Sequence, residues 1–280
     1  MNWQEERDAT LCEARCVVVK VGSAVLSTGS ELNLPVLDNL VNQLAVLSRQ
    51  GRRVVLVSSG AVAAGRTALK KLPGEPAAVG LSGKQAAAAV GQGRLMHLYD
   101  NAFAERGILT AQVLLTRDDL KNRTRFLNIR NTFSELLNWG VIPVVNENDS
   151  VSSAEIETGR HKVLGDNDTL SAIVAELCRA DLLVLLSDID GLYDADPKTH
   201  PEAKLLHQVT ELTPEILEMA GGAGSWRGTG GMATKLSAAR IAMEAGCDMV
   251  ITNGSRMEDL YGIAEGKDIG TRFVSGKTRN

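Results

Sequence analysis

Uniformly apolar, β-branched runs alternate with amphipathic stretches along the chain. The runs at 16–21 (CVVVKV), 53–58 (RVVLVS), 108–115 (ILTAQVLL), 141–146 (VIPVVN), 182–187 (LLVLLS) and 248–252 (DMVIT) predict strands. Helical periodicity falls between them, at 34–50, 60–70, 83–106, 118–138, 167–179, 232–245 and 256–264. Strands without a polar face, separated by helices, belong to a mostly parallel sheet covered on both sides. Right-handed crossovers then place the C-terminal strand ends along one edge, where such α/β folds bind ligands. The polar signals of this chain cluster just after its strands.

One residue breaks the pattern. Lys20 sits near the end of the first strand, and a lysine is almost never buried without a partner. Gly22 follows it at once, and Gly/Ser turns recur as "KVGSAV", "VSSGAVAAG" and "GTGGMATK". Glycine lets the backbone approach a ligand closely, and successive amides at a helix start cradle an anion. Gly22, Ser23 and Gly60 are therefore the expected phosphate cradle, with Lys20 and Lys235 supplying charge. The Walker, dinucleotide-binding and protein-kinase signatures are all absent, so any phosphoryl chemistry uses another cradle.

Carboxamides and carboxylates mix in two places. "PVVNENDSV" leaves a strand through Asn146, Glu147, Asn148 and Asp149, and "GDND" brings Asp166, Asn167 and Asp168 into a helix. An N-cap needs one such residue, and three in a row exceed that need. The mixture suits an amino-acid ligand, its ammonium met by acids and its carboxylate by amides, while Asp168 suits orienting lysines or a magnesium ion. "LLSDIDGLYDADP" ends a strand at Ser187 and Asp188, placed to contact a nucleotide, and its Gly191 and Pro197 read as turn residues.

Composition narrows the rest. The 280 residues are 44% hydrophobic and only 4% aromatic, so the core is aliphatic. A net charge of −4 predicts no nucleic-acid or membrane partner, and any anionic substrate needs positive potential concentrated at a site. The N-terminus has no signal-peptide pattern, and no segment is apolar for long enough to span a bilayer, which points to a cytoplasmic protein. Cys12, Cys16, Cys178 and Cys247 are scattered and read as buried free thiols. The basic stretch with Arg117, Lys121, Arg123, Arg125 and Arg130 is balanced by Asp118 and Asp119 and reads as a solvated or subunit-contacting face. His97, His161, His200 and His207 have no metal spacing.

Taken in order, "VVVKVGSAVL", "SSGAVAAGR", "PVVNENDSV", "GDNDTLSA", "LLSDIDGLYDADP" and "GTGGMATK" resemble the amino acid kinase family, from about Arg15 to Phe273. The resemblance implies an α/β, three-layer αβα sandwich in one domain. A lobe at about 15–180 would hold the acceptor and one at about 181–275 would hold ATP. It implies Lys20, Lys235 and Asp168 as catalytic residues. It further implies Ser59, Asp149 and Asn167, with Asn148 and Asp166 beside them, as acceptor contacts. Lys20, Ser187, Asp188 and the run Thr229, Gly230, Gly231, Met232, Ala233, Thr234 and Lys235 would contact ATP.

Within the family, the "KVGS" turn and the "NEND…GDND" pairing match the branch that phosphorylates the γ-carboxylate of L-glutamate, with ATP and Mg2+, at the start of proline synthesis. Another small acid (aspartate or N-acetylglutamate) or a non-catalytic amino-acid or nucleotide sensor are the alternatives. The resemblance also implies feedback inhibition by proline, sought first at 152–162, a glutamyl-phosphate reductase as functional partner, and a homo-oligomer, dimer or tetramer. Many relatives carry a C-terminal PUA domain, which this sequence is expected to lack.

Overall fold

The computed structural model describes residues 3–28, 31–74, 79–151, 167–197, 199–219 and 231–276. The chain opens with helix α1 (Trp3–Cys12), strand β1 (Cys16–Val21), a single helical turn α2 (Ser23–Leu26) and a small hairpin, β2 (Ser27–Thr28) and β3 (Glu31–Leu32). It continues through α3 (Leu34–Arg49), β4 (Arg53–Val57), α4 (Ala61–Leu69), α5 (Gly80–Ala104), β5 (Thr110–Leu115), α6 (Arg117–Lys121), α7 (Arg123–Asn138) and β6 (Ile142–Glu147). After these come α8 (Asn167–Cys178), β7 (Leu182–Ser187), β8 (Gln208–Val209), α9 (Pro214–Met219), α10 (Met232–Ala245), β9 (Asp248–Asn253), α11 (Asp259–Ala264) and β10 (Thr271–Phe273).

Eight strands form one sheet in the order β5-β6-β4-β1-β7-β9-β10-β8. Neighbours run parallel except β9 and β10, which are antiparallel. β1 lies inside the sheet, bonded to β4 on one side and β7 on the other, and all six of its residues are buried. The sheet thus runs unbroken across the expected lobe boundary near 181.

Alternation along β1 sorts its side chains into two cores. Cys16 and Val18 pack with residues of α7, α8 and α10, while Val17, Val19 and Val21 pack with α3, α5 and α11. The sheet is therefore the middle of three layers, as expected. Lys20 shares the parity of Val18, which aims it at the layer holding α8 and α10. The chain leaves β1 toward β4 on one side, and β7 pairs on the other. This is the switch point at which parallel sheets open a crevice beyond their strand ends.

Some elements differ from expectation. The helix expected over 118–138 is two helices, because Asn122 adopts an extended backbone (φ −84°, ψ 114°) and caps the second by accepting from the Arg125 N–H at 3.1 Å. The last helix begins at Asp259 rather than 256. Strands β8 and β10 have two and three residues, too few for alternation to register. Helix α1 has no apolar stripe to reveal it. Cys16, Cys178 and Cys247 are buried free thiols, whereas Cys12 is exposed, since it ends a polar surface helix.

Candidate active site

A cavity of about 570 Å³ opens at the C-terminal edge of the sheet. It is reached by the ends of β1 (Lys20, Gly22), β4 (Ser59, Gly60), β6 (Asn146, Glu147, Asp149) and β7 (Ser187, Asp188), and by Asn167 and Lys235. These segments are far apart in sequence and meet because parallel strands deliver their C-termini to one edge.

At its floor two ammonium groups share one carboxylate. Lys20 Nζ lies 2.5 Å from Asp168 Oδ1, and Lys235 Nζ lies 3.1 Å from Asp168 Oδ2. Lys20 and Lys235 are only 6% and 4% exposed, and Asp168 is fully buried. Burial alone would raise the Asp168 carboxyl, but the charges and hydrogen bonds of the two lysines outweigh it and hold the group below its ordinary value. Burying an ion costs several kcal/mol, so cations are buried in company. Among the described residues, two cations meet on one carboxylate, and both lysines line the cavity.

The glycines beside it act differently from each other. Gly60 has φ +104°, a left-handed conformation that favours glycine, and it leads into α4. Gly22 has an ordinary extended backbone (φ −79°, ψ 155°). A Cβ there would sit 3.4 Å from Lys20 Nζ, an ordinary contact, so the residue lies directly beside the cluster. Ser23 begins the turn α2 and lines the cavity.

A row of carboxamides and acids also lines the cavity. Asn167 Nδ2 donates to Ser59 Oγ at 2.6 Å, to the Ser58 carbonyl at 3.0 Å and to Asn146 Oδ1 at 3.2 Å. Asn146 Nδ2 donates to Gln92 Oε1 at 2.9 Å. Burial, and secondarily the charge of Glu147, raises the Asp149 carboxyl to about 6. A partly desolvated pair of acids is receptive to a cation.

Most of the expected site residues converge. Lys20, Gly22, Ser23, Ser59, Gly60, Asp149, Asn167, Ser187, Asp188 and Lys235 line the cavity, and Asp168 lies beneath it. Asn148 does not join them. Its Oδ1 accepts from Ser150 Oγ at 2.6 Å, and it lines an adjoining pocket of about 20 Å³. Gly231, Met232, Ala233 and Thr234 begin α10 and do not line the cavity; Thr234 Oγ1 donates toward Asp168 Oδ2 at 3.3 Å. Asp166, Thr229 and Gly230 lie outside the described residues. Among those described, no three His, Cys, Asp or Glu side chains gather into a metal cage.

Two further contributors were not foreseen. Arg66 of α4 lines the cavity, and Gln92 of α5 supports the carboxamide row. "SSGAVAAGR" contains Arg66, but only helical phase relative to Gly60 places it toward the pocket. Gln92 depends on how α4 and α5 pack, and they pack closely. A Cβ on Gly65 would lie 1.8 Å from the Ala87 carbonyl, and one on Gly91 equally close to that of Ala61. The small residues of both helices permit this approach, and it carries Gln92 to the site.

A family model described as the amino acid kinase family matches residues 15–253. The chain belongs to the amino acid kinase family. Relatives of this amino acid kinase include the glutamate 5-kinase of Nitratidesulfovibrio vulgaris, 51% identical over 97% of the chain and 69% of the relative. The glutamate 5-kinase of Clostridium perfringens is 49% identical over 95% of the chain and 98% of its own length. The UMP kinase of Bacillus anthracis superposes with a TM-score of 0.63 at 15% identity, covering 94% of this chain and 97% of that one. That likeness extends the amino acid kinase fold to a distant solved structure.

Proposed function

We propose that the cavity transfers the γ-phosphoryl group of ATP to the γ-carboxylate of L-glutamate, giving L-glutamyl 5-phosphate and ADP, the first step of proline biosynthesis. The observation that carries this reading is the pair of buried lysines on one carboxylate, in a cavity that acids and carboxamides also line. Glutamate 5-kinases at about half identity support the choice of acceptor.

The chemistry needs little proton movement. A side-chain carboxylate is already ionised at neutral pH, so no general base is required. An oxygen of the γ-carboxylate attacks the γ-phosphorus as the bond to the β-phosphate oxygen breaks, and ADP leaves. The obstacle is charge: two unit charges 4 Å apart repel by about 4 kcal/mol at an effective dielectric of 20, and several such pairs act together. Lys20 and Lys235 neutralise the migrating group, and Asp168 keeps both nitrogens aimed at one place.

Each half of the cavity has its task. Gly22, Ser23 and Gly60 present the backbone to the phosphates, and Ser187, Asp188 and the start of α10 meet the nucleotide. Asp149 receives the substrate ammonium. Ser59, Arg66 and the start of α4 meet its α-carboxylate. Magnesium enters as part of the MgATP substrate, bound largely through phosphate oxygens.

The same reading carries feedback inhibition by proline, a separate glutamyl-phosphate reductase that consumes the labile product, a dimeric or tetrameric assembly and a cytoplasmic location. The segment 152–162, where proline control is sought, lies outside the described residues. No described helix is long and apolar enough to cross a membrane. ADP release measured with L-glutamate, L-aspartate, N-acetyl-L-glutamate and UMP tests the reaction. Turnover with L-glutamate well above the others is expected. Preference for another acceptor, or nucleotide binding without turnover, would overturn it.

A further inference from the structure

The carboxamide row has a fixed polarity. Asn146 Oδ1 lies 2.9 Å from the Glu147 main-chain N–H, a group that can only donate. That contact orients the Asn146 amide, so the atom 2.9 Å from Gln92 is Nδ2, and Gln92 must answer with its carbonyl oxygen. Asn167 Nδ2 lies 3.0 Å from the Ser58 carbonyl, which can only accept. It also faces Ser59 Oγ and Asn146 Oδ1, so the amino edge of Asn167 is committed to protein acceptors.

We propose that Gln92 is a positioning residue for the acceptor substrate, holding Asn146 so that Asn167 turns its carbonyl oxygen, rather than its amino group, to the substrate ammonium. The inference deepens the glutamate reading and rests on it. Asn167 Oδ1 and Asp149 then form an acceptor pair for the ammonium. Ser59, already accepting from Asn167, has its hydroxyl hydrogen for the α-carboxylate. The sequence pattern alone suggested amides for the carboxylate; the hydrogen-bond polarity reverses this for Asn167. Gln92 touches neither substrate nor nucleotide in this scheme and acts only through Asn146.

Glutarate, which is glutamate without the α-amino group, is the probe. In Gln92→Leu, the KM for glutamate rises about tenfold, the scale of a hydrogen bond to a charged group. The inhibition constant of glutarate, the KM for ATP and kcat stay within about twofold of wild type. Gln92→Glu keeps an acceptor for Asn146 Nδ2 and holds the wild-type preference for glutamate over glutarate within about threefold. If the leucine variant is insoluble, Gln92→Lys, which can only donate, carries the same expectation. Equal weakening of glutamate and glutarate, loss of the preference in Gln92→Glu as well, or no change in either variant would overturn the inference. Wild-type protein that fails to turn over glutamate would instead overturn the substrate assignment, and that outcome is read before any variant is made.

Discussion

Lys20 and Lys235, one at the end of β1 and the other in the first turn of α10, grip opposite oxygens of the same Asp168 carboxylate. Strand parity aims Lys20 at the layer containing α8 and α10, and Asp168 in the first turn of α8 lies between the two nitrogens. Loss of either lysine removes a preorganised cation from the migrating group. Lys20→Ala and Lys235→Ala each lower kcat by roughly 10²–10³, the scale of one such donor. Steady-state ADP release measures it, and near-normal turnover in either variant would remove that lysine from the mechanism.

Asp168→Asn removes the carboxylate charge that two buried ammonium groups share. Breaking a buried ion pair costs about 3–5 kcal/mol, so the variant melts well below wild type. A nucleotide supplies the missing anion, so ADP raises the melting temperature of Asp168→Asn by more than it raises that of wild type. Equal shifts in the two proteins would mean that the carboxylate and the phosphates do not answer the same charge.

Asp149 sets a pH dependence. Its carboxyl is raised from 3.8 to about 6, so it is protonated below that pH and ionised above it. An ammonium needs the ionised form, and kcat/KM for glutamate therefore falls about tenfold per unit as pH drops below 6. Asp149→Asn weakens glutamate, leaves the KM for ATP near wild type and abolishes this limb.

Stability runs the other way. An acid whose pKa is raised by folding contributes stability that is complete below its unfolded value and lost as pH rises through about 6. Asp149→Asn therefore melts higher than wild type at pH 8 and not at pH 4. A gain at pH 4 equal to that at pH 8 would remove Asp149 ionisation as its cause.

Three glycines separate space, strain and packing. Gly60→Ala forces a side chain into φ +104° and costs about 1–2 kcal/mol in denaturant unfolding. Gly65→Ala costs more, because its Cβ would meet the Ala87 main chain at 1.8 Å. Gly22→Ala folds within about 1 kcal/mol of wild type, since 3.4 Å is an ordinary contact, yet loses activity through its proximity to Lys20 Nζ. A large unfolding penalty in Gly22→Ala would contradict the distinction.

Much of this arrangement was legible in the sequence. Runs such as "CVVVKV" and "LLVLLS" are apolar on both faces because both faces of the sheet are covered, and Lys20 stands out against that background. Lys235 and Asp168 were marked by their turns and by acids beyond what a cap requires. β10 was not legible, because three residues carry no period, and its antiparallel pairing with β9 is decided by tertiary contacts. Arg66 and Gln92 were missed because their relevance depends on helix phase and on the α4–α5 approach. That Gly60 is left-handed while Gly22 keeps an extended backbone was not legible either, since a glycine's conformation is set by the turn it enters and not by its own side chain.

The most direct test of the account is a crystal structure with ADP, a planar metal-fluoride mimic of the migrating phosphoryl group, and L-glutamate. Lys20 Nζ and Lys235 Nζ should both lie within about 3 Å of the mimic, with the glutamate γ-carboxylate in line behind it. Either nitrogen turned away from the mimic in that complex would contradict the claim that two lysines converge on one migrating group.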